Sequence, residues 1–334
     1  MKVTNRLGLH PAIVAAVEHQ DAAWYSGTGE KRWASVTELI APVTLTALKR
    51  AHVDELEEEA SDCLWRLRGA ALHRTVEELL KADSRAECEP RFSMEVLGKL
   101  ITGGADIIWT GTEIVDLKDT SVWHLVHAKN MLPQEYVEQL NLYRLMAGGP
   151  IDKLSVIVML RDWSKSKVSD VNYPAAQCLT LDVPVWSREK AEAFIQLRVS
   201  MLKTALAMKP ENLPACTPEE RWEKPTTYVV KKKGQKACVR GSAKLQTHAQ
   251  AEAFIAKMKS KAGLSIEQRL GARTRCEGYC PVSRWCKDYQ AFLGDPVKAY
   301  QPSDSTPTPS EEPPKKDLWG ATVPPRKRRT VKNG

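Results

Sequence analysis

Gly103-Gly104-Ala105-Asp106-Ile107-Ile108 and Ile114-Val115-Asp116-Leu117-Lys118, with Asp116 ten residues after Asp106, decide how this chain is read. Gly103-Gly104 is a turn signal, and Ile107 to Trp109 and Glu113 to Leu117 are short runs of β-forming residues. Strand side chains alternate with a period of two, so Lys118 shares a face with Asp116. Two carboxylates and a lysine at the ends of adjacent strands can hold a divalent cation and activate a water beside it. Asp106 and Asp116 offer the hard oxygen ligands that Mg²⁺ and Mn²⁺ prefer. Lys118 is then placed to orient the attacking water or stabilise a developing oxyanion.

Working outward, Cys63 to Lys81 carries a helical pattern, with Leu64, Leu67, Ala71 and Val76 on one side and Leu79 and Leu80 closing it. Gly69, His73 and Glu77 recur every four residues on one face of that helix. Gly69 would permit close approach to the sheet, His73 would complete a metal shell, and Glu77 would orient the imidazole. Imidazole is a softer ligand than carboxylate, which favours tolerance of Mn²⁺, although a lone His on a helix is more often structural. Downstream, a helix from about Gln134 to Met146 ends at Gly148-Gly149-Pro150. It sets Gln139 and Tyr143 at i and i+4, a pair that can reach a scissile phosphate but that more often packs a helix on a sheet.

The remaining segments frame this centre. A short helix is expected near Pro11, from Ala12 to Glu18, and Ser35-Val36-Thr37-Glu38 has the form of a helix cap, with Ala41-Pro42 opening the next helix. Phe92, Met94 and Val96 alternate as a strand, Leu154 to Leu160 reads as a buried strand, and Arg188 to Met208 as a helix. Composition shifts near Lys209, where Pro210, Pro214, Pro218 and Pro225 punctuate a linker. Thr227 to Val230 and Ala237 to Arg240 flank a Lys/Gly turn, and His248 to Ser260 would complete a small ββα module. From Gln301 onward Pro, Ser, Thr and Lys dominate without apolar periodicity, which predicts disorder with a basic tip at Arg326 to Arg329.

At 334 residues, 43% hydrophobic and 27% charged, the chain has the composition of a globular protein with one large core and a smaller appended module. It has no apolar stretch of membrane-spanning length and no long apolar N-terminal segment, so the expectation is a cytoplasmic protein with no membrane partner. The net charge of +8 is uneven: residues 201–290 hold 18 Lys and Arg against 8 Asp and Glu, a balance of +10. A concentrated positive segment suits a polyanion such as nucleic acid, and Trp222, Tyr228 and Trp285 within it could stack bases or serve as core.

The ordered series Gly69-x3-His73-x3-Glu77, Gly104-x-Asp106, Asp116-Leu117-Lys118 and Gln139-x3-Tyr143 resembles the RecB-type branch of the PD-(D/E)XK nucleases. That branch includes bacteriophage members and the CRISPR-associated adaptation nucleases. The resemblance covers about residues 33 to 290. It implies an α/β fold with a mixed central β-sheet flanked by helices, restriction-endonuclease-like, and metal-dependent cleavage of DNA, usually from an end. Matched residue by residue, it makes His73, Asp106, Asp116 and the main-chain carbonyl of Leu117 the ligands of Mg²⁺ or Mn²⁺. Lys118 becomes the catalytic lysine, with Gln139 and Tyr143 assisting.

The implied activity is an exodeoxyribonuclease acting on linear DNA in phage or bacterial recombination, repair or degradation, with a recombination protein as a further partner. A structure-specific endonuclease on the same fold, or a non-catalytic DNA-binding recombination partner, are the alternatives. The expected divisions are an N-terminal extension (1–32), a nuclease core (33–209), a basic hairpin-helix module with a cysteine clasp (210–292) and a disordered tail (293–334).

Of eight cysteines, three crowd together as Cys276-x3-Cys280-x5-Cys286. Close thiolates near a turn can converge on one soft metal centre, Zn²⁺ or an iron–sulfur cluster, but three leave a four-ligand set one short. Iron–sulfur members of the resembling branch supply the fourth from a Cys-Pro pair after a Ser-Val-Thr-Glu-Leu-like helix start. Here Ala41-Pro42 stands at that place. The resemblance to phage nucleases with a Cys-x-x-Glu-Glu-Arg-Trp-like segment makes Cys216 the substitute, giving Cys216, Cys276, Cys280 and Cys286 around a [4Fe-4S] cluster or Zn²⁺.

Overall fold

The computed structural model describes residues 2–25, 32–123 and 132–294. The expected disordered tail lies, from residue 295 onward, outside the described residues.

Strand β1 (Lys2–Thr4) pairs in parallel with β3 (Glu57–Glu59), and helix α1 (Pro11–Tyr25) opens on the Pro predicted at its start. The sequence 35–38 forms the expected capping box. Glu38 N donates to Ser35 Oγ at 3.2 Å and Ser35 N to Glu38 Oε2 at 2.9 Å, which closes the N-terminus of α2 (Val36–Ile40) directly after β2 (Ala34–Ser35). Pro42 then precedes α3 (Val43–Ala51).

Helix α4 (Leu64–Leu80) follows, then β4 (Ala86–Cys88), β5 (Arg91–Val96), β6 (Lys99–Gly104), β7 (Ile107–Trp109) and β8 (Glu113–Thr120). Beyond them come α5 (Gln134–Ala147), β9 (Lys153–Leu160), β10 (Cys178–Asp182) and α6 (Arg188–Ala207). The central sheet is five-stranded in the order β10-β9-β8-β7-β4, and only β8 and β9 run parallel, so it is mixed. A second sheet has the order β2-β6-β5.

Alternation along the strands divides the core. Ile114, Leu154, Val156 and Val158 pack with Leu140 and Leu142 of α5 and Ile195 and Val199 of α6. On the other face Val115, Leu117 and Ile157 meet Val76 and Leu80 of α4. The expected arrangement of a mixed sheet flanked by helices is therefore present. The inward stripe of α4 is narrower than its sequence pattern suggests: Leu79 is 76% exposed and Ala71 is also exposed.

Gly103-Gly104 is not the turn that the sequence predicts. Both glycines lie inside β6, opposite Phe92 and Arg91, and the turn falls at Leu97-Gly98, where φ is 51° and 70°. The glycines serve packing: a Cβ at Gly103 would lie 2.8 Å from the Tyr143 ring, and one at Gly104 would lie 2.8 Å from the Arg91 guanidinium.

The appended module also differs from ββα. Strand β11 (Glu223–Lys224) pairs with β14 (Ala272–Arg273), and β12 (Thr227–Lys232) pairs antiparallel with β13 (Leu264–Arg269), with α7 (His248–Ala256) between them. Ala237 to Arg240 makes one isolated bridge, Lys231 with Cys238. The reason is competition for β12: β13 supplies its ladder, while Ser242 Oγ accepts from Val230 N at 3.1 Å on the other edge. The chain ends its described part with α8 (Thr274–Gly278) and α9 (Lys287–Leu293). No helix among the described residues is long and apolar enough to cross a membrane.

Candidate active site

Strand β7 begins at Ile107, whose partner is Val115, so Leu117 N extends beyond the β7 ladder. The side chain of Asp106, just ahead of β7, takes that donor: its Oδ2 accepts from Leu117 N at 2.6 Å. From α4, His73 inserts between the same two residues. Its Nδ1 lies 3.3 Å from Asp106 Oδ1 and its Nε2 lies 3.0 Å from the Leu117 carbonyl oxygen. Both ring nitrogens face acceptors, and the hydrogen bond to Asp106 raises the His73 pKa against the opposing effect of burial.

Glu89 joins this group. Ligand atoms of His73, Glu89 and Asp106 all lie within 4.8 Å of one another, the one such His/Cys/Asp/Glu group among the described residues. Glu89 adopts φ of 53°, and its N–H donates to the Asp106 carbonyl at 2.8 Å, which locks the two acids side by side. Burial raises the Glu89 pKa, Arg91 opposes it, and Asp106 adds to it.

Asp116 is 2% exposed and points to the α5 face. Burial raises its pKa, with Lys118 pulling the other way. Lys118 Nζ lies 2.7 Å from Asp116 Oδ2 as an ion pair, although off the angle of a directed hydrogen bond, so that buried oxygen has no aligned donor. Burial works to lower the Lys118 pKa, but Asp116 outweighs it and the net direction is upward. Gln139 Nε2 donates to Asp116 Oδ1 at 3.5 Å and to Tyr143 Oη at 2.9 Å, while the Tyr136 ring centroid lies 5.1 Å from Lys118 Nζ. Burial pushes the Tyr143 hydroxyl up to about 12.

The expected residues His73, Asp106, Asp116, Leu117, Lys118, Gln139 and Tyr143 therefore converge on the end of β7 and the middle of β8. The imidazole of His73, the carboxylates of Glu89 and Asp106 and the Leu117 carbonyl form a mainly oxygen donor set that fits Mg²⁺ or Mn²⁺, and Asp116 Oδ2 is a buried oxygen with no aligned donor. Two neighbours behave differently from expectation. A Cβ at Gly69 would meet nothing within 4 Å, so this glycine is not a close helix-to-sheet contact. Glu77 does not orient His73, because Asp106 and Leu117 take both ring nitrogens; its charge is instead felt by Cys88 and Glu89.

Cys216, Cys276, Cys280 and Cys286 line one recess together with Leu45, Leu48 and Val282. All four are free thiols. Burial, and then the neighbouring acid and thiols, push Cys216 up to about 12; burial and the other thiols push Cys276 up to about 11.

No family model and no curated protein matches the chain. Among solved structures, the crystal structure of SSO0001 is 16% identical with a TM-score of 0.40, over 56% of this chain and 84% of that one. An alkaline exonuclease from Laribacter hongkongensis is 10% identical with a TM-score of 0.34, over 52% and 88% of the two chains. The same exonuclease in complex with dAMP gives 11%, 0.35, 52% and 89%. These are distant likenesses over about half of this chain.

Sequence reasoning missed Glu89. Its signal was Glu89-Pro90 directly ahead of the alternating strand at Arg91, and the acid pattern around Asp106 and Asp116 drew attention away from it. The positive φ that turns its carboxylate toward His73 is unusual for a residue other than glycine and is invisible in sequence.

Proposed function

We propose that this chain is a Mg²⁺- or Mn²⁺-dependent deoxyribonuclease of the RecB-type PD-(D/E)XK kind, acting as an exonuclease on DNA ends in phage or bacterial recombination, repair or degradation. The observation that carries the reading is the convergence of His73, Asp106 and the Leu117 carbonyl beside the Asp116–Lys118 pair. His73, Glu89, Asp106, Asp116 and the Leu117 carbonyl would hold the cation. When bound, the cation lowers the pKa of a water and offsets charge on the phosphate.

The side chains supply the rest. Asp116 keeps Lys118 protonated, so its ammonium can hold the attacking water or a phosphate oxygen. Gln139 fixes the Asp116 carboxylate, and Tyr143, protonated throughout the neutral range, braces Gln139. In the basic module, a recess of about 920 Å³ lined by Lys232, Arg240 and Lys259 offers phosphate contacts to a bound strand. This reading goes with the cytoplasm of a bacterial or phage-infected cell and with a recombination protein as a further partner.

For the cysteines, we propose a [4Fe-4S] cluster held by Cys216, Cys276, Cys280 and Cys286. A tetrahedral zinc site needs sulfurs about 3.8 Å apart, given Zn–S bonds of about 2.3 Å. No three of these sulfurs lie within 4.8 Å of one another, and the wider set suits a larger cluster. Broad visible absorption of anaerobically purified protein supports the cluster; colourless protein containing zinc refutes it.

The function is tested with end-labelled linear DNA and covalently closed circles in Mg²⁺ and Mn²⁺. Degradation of linear DNA alone supports the exonuclease. Cutting of closed circles replaces it with the endonuclease reading, and metal-independent binding without cutting replaces it with the non-catalytic one.

A further inference from the structure

The aromatic residues of the C-terminal basic segment form a second feature. Tyr228 packs edge-on against His248, with centroids 5.9 Å apart, and Trp285 stacks on His52 at 4.2 Å under the Arg284 guanidinium. Those two rings are half-buried. Trp222 and Tyr279 are different: they are 43% and 69% exposed, and they meet each other edge to face at 5.3 Å.

Three observations show that the pair is built. Trp222 sits at φ of 50°, a backbone conformation that bulky residues avoid. It is held there by a compact turn in which Glu220 N donates to Thr217 Oγ1 at 3.2 Å and Trp222 N to the Glu219 carbonyl at 3.1 Å. Arg275 lies over the Trp222 ring at 5.4 Å and donates to the Glu220 carbonyl at 3.2 Å. Tyr279 N, in turn, donates to the Arg275 carbonyl at 2.9 Å.

Position supplies the connection to the active site. Arg275 also reaches Glu135 at 4.0 Å, in the first turn of α5. The next residue on that helix, Tyr136, lies over Lys118, and one turn further on Gln139 contacts Asp116. The platform and the catalytic groups are thus anchored to one helix. An aromatic face with a guanidinium beside it, in a segment whose balance of charge is strongly positive, matches a nucleobase attached to a phosphate backbone. A base in a duplex has both faces stacked and cannot use such a platform.

The geometry points to Trp222 and Tyr279 as a stacking subsite for an unpaired nucleobase, with single-stranded DNA as the species it takes. This inference rests on the nuclease reading for its DNA substrate, and its test needs neither cation nor cleavage.

The test measures binding of a short single-stranded oligonucleotide, and of a blunt duplex of equal length, in EDTA. Trp222→Ala and Tyr279→Ala are expected to weaken single-strand binding about tenfold each and to leave duplex binding within about twofold, while Trp222→Phe retains most of the affinity. An abasic site walked along the oligonucleotide should weaken wild-type binding at one position and add nothing to Trp222→Ala there. Single-strand binding unchanged in both alanine variants, or weakened equally for both DNA forms, overturns the subsite. Wild-type protein that shows the Trp222-dependent binding but does not cut DNA in Mg²⁺ supports the subsite and fails the nuclease reading.

Discussion

The carboxylate–imidazole group and the cysteine recess are both ligand-rich, yet the protein prepares them in opposite ways. Around Asp106 and Asp116 every charge has an internal counterpart: His73 bridges Asp106 and the Leu117 carbonyl, and Lys118 pairs with Asp116. In the recess four thiols lie together, and burial pushes Cys216 and Cys276 up to about 12 and about 11. The first site is held in shape by its own ion pairs, so the cation proposed there would serve chemistry more than folding. The second gathers four thiols, so a metal loaded there must displace protons and then ties Cys216 to the segment 276–286.

That contrast is sharpened most by Asp106→Asn. The amide keeps an oxygen for Leu117 N but removes the charge, so metal-dependent DNA digestion should fall about 10³-fold. The melting temperature should move by only a few degrees. A loss of folding as large as the loss of activity would erase the distinction between the sites.

The reciprocal experiment replaces Cys280 with Ser. Loss of the clasp is expected to cost about 2 kcal/mol, a fall of roughly 4–8 °C in melting temperature. The proposed ligands of the catalytic cation, read by Mn²⁺ affinity, should be nearly unaffected. Because burial raises Cys216, Cys276 and Cys280, loading of the recess should strengthen as pH increases, which metal titration at several pH values checks.

Gly103→Ala probes the support behind Gln139. Its Cβ would press to 2.8 Å from the Tyr143 ring, at a cost of about 1–3 kcal/mol by overpacking, and activity should fall with Tyr143 displaced. Unchanged stability and activity would show that Tyr143 is not braced there.

The smallest effect is expected at Glu38, away from both sites. Burial would raise its pKa, but the Ser35 amide and Arg50 lower it below the usual carboxylate value. A depressed folded-state value stabilises above the unfolded value of about 4.3 and is lost as pH falls through the folded one. Glu38→Gln should therefore cost about 1 kcal/mol at pH 7, with the gap to wild type closing below about pH 4, as read by denaturant melts.

Much of the candidate site is legible in the sequence because strand and helix periodicities act locally. Asp116 and Lys118 share a face by the period of two, and Gln139 meets Tyr143 because i and i+4 are neighbours on a helix. What sequence did not reveal depends on partners distant along the chain. Gly103-Gly104 has the composition of a turn, but the Tyr143 ring and Arg91 determine its use inside β6. The second strand of the small module was assigned to Ala237–Arg240 because hairpins are the local solution, whereas β13, beyond α7, pairs with β12. Glu89 needed both a left-handed backbone and the fold of β6 into β7 to reach His73.

The most direct test of the central claim is the rate of metal-dependent digestion of end-labelled linear DNA by wild type and Lys118→Ala at equal DNA occupancy. The account predicts a loss of about 10²–10⁴-fold with DNA binding retained. Equal rates in the two proteins would contradict it.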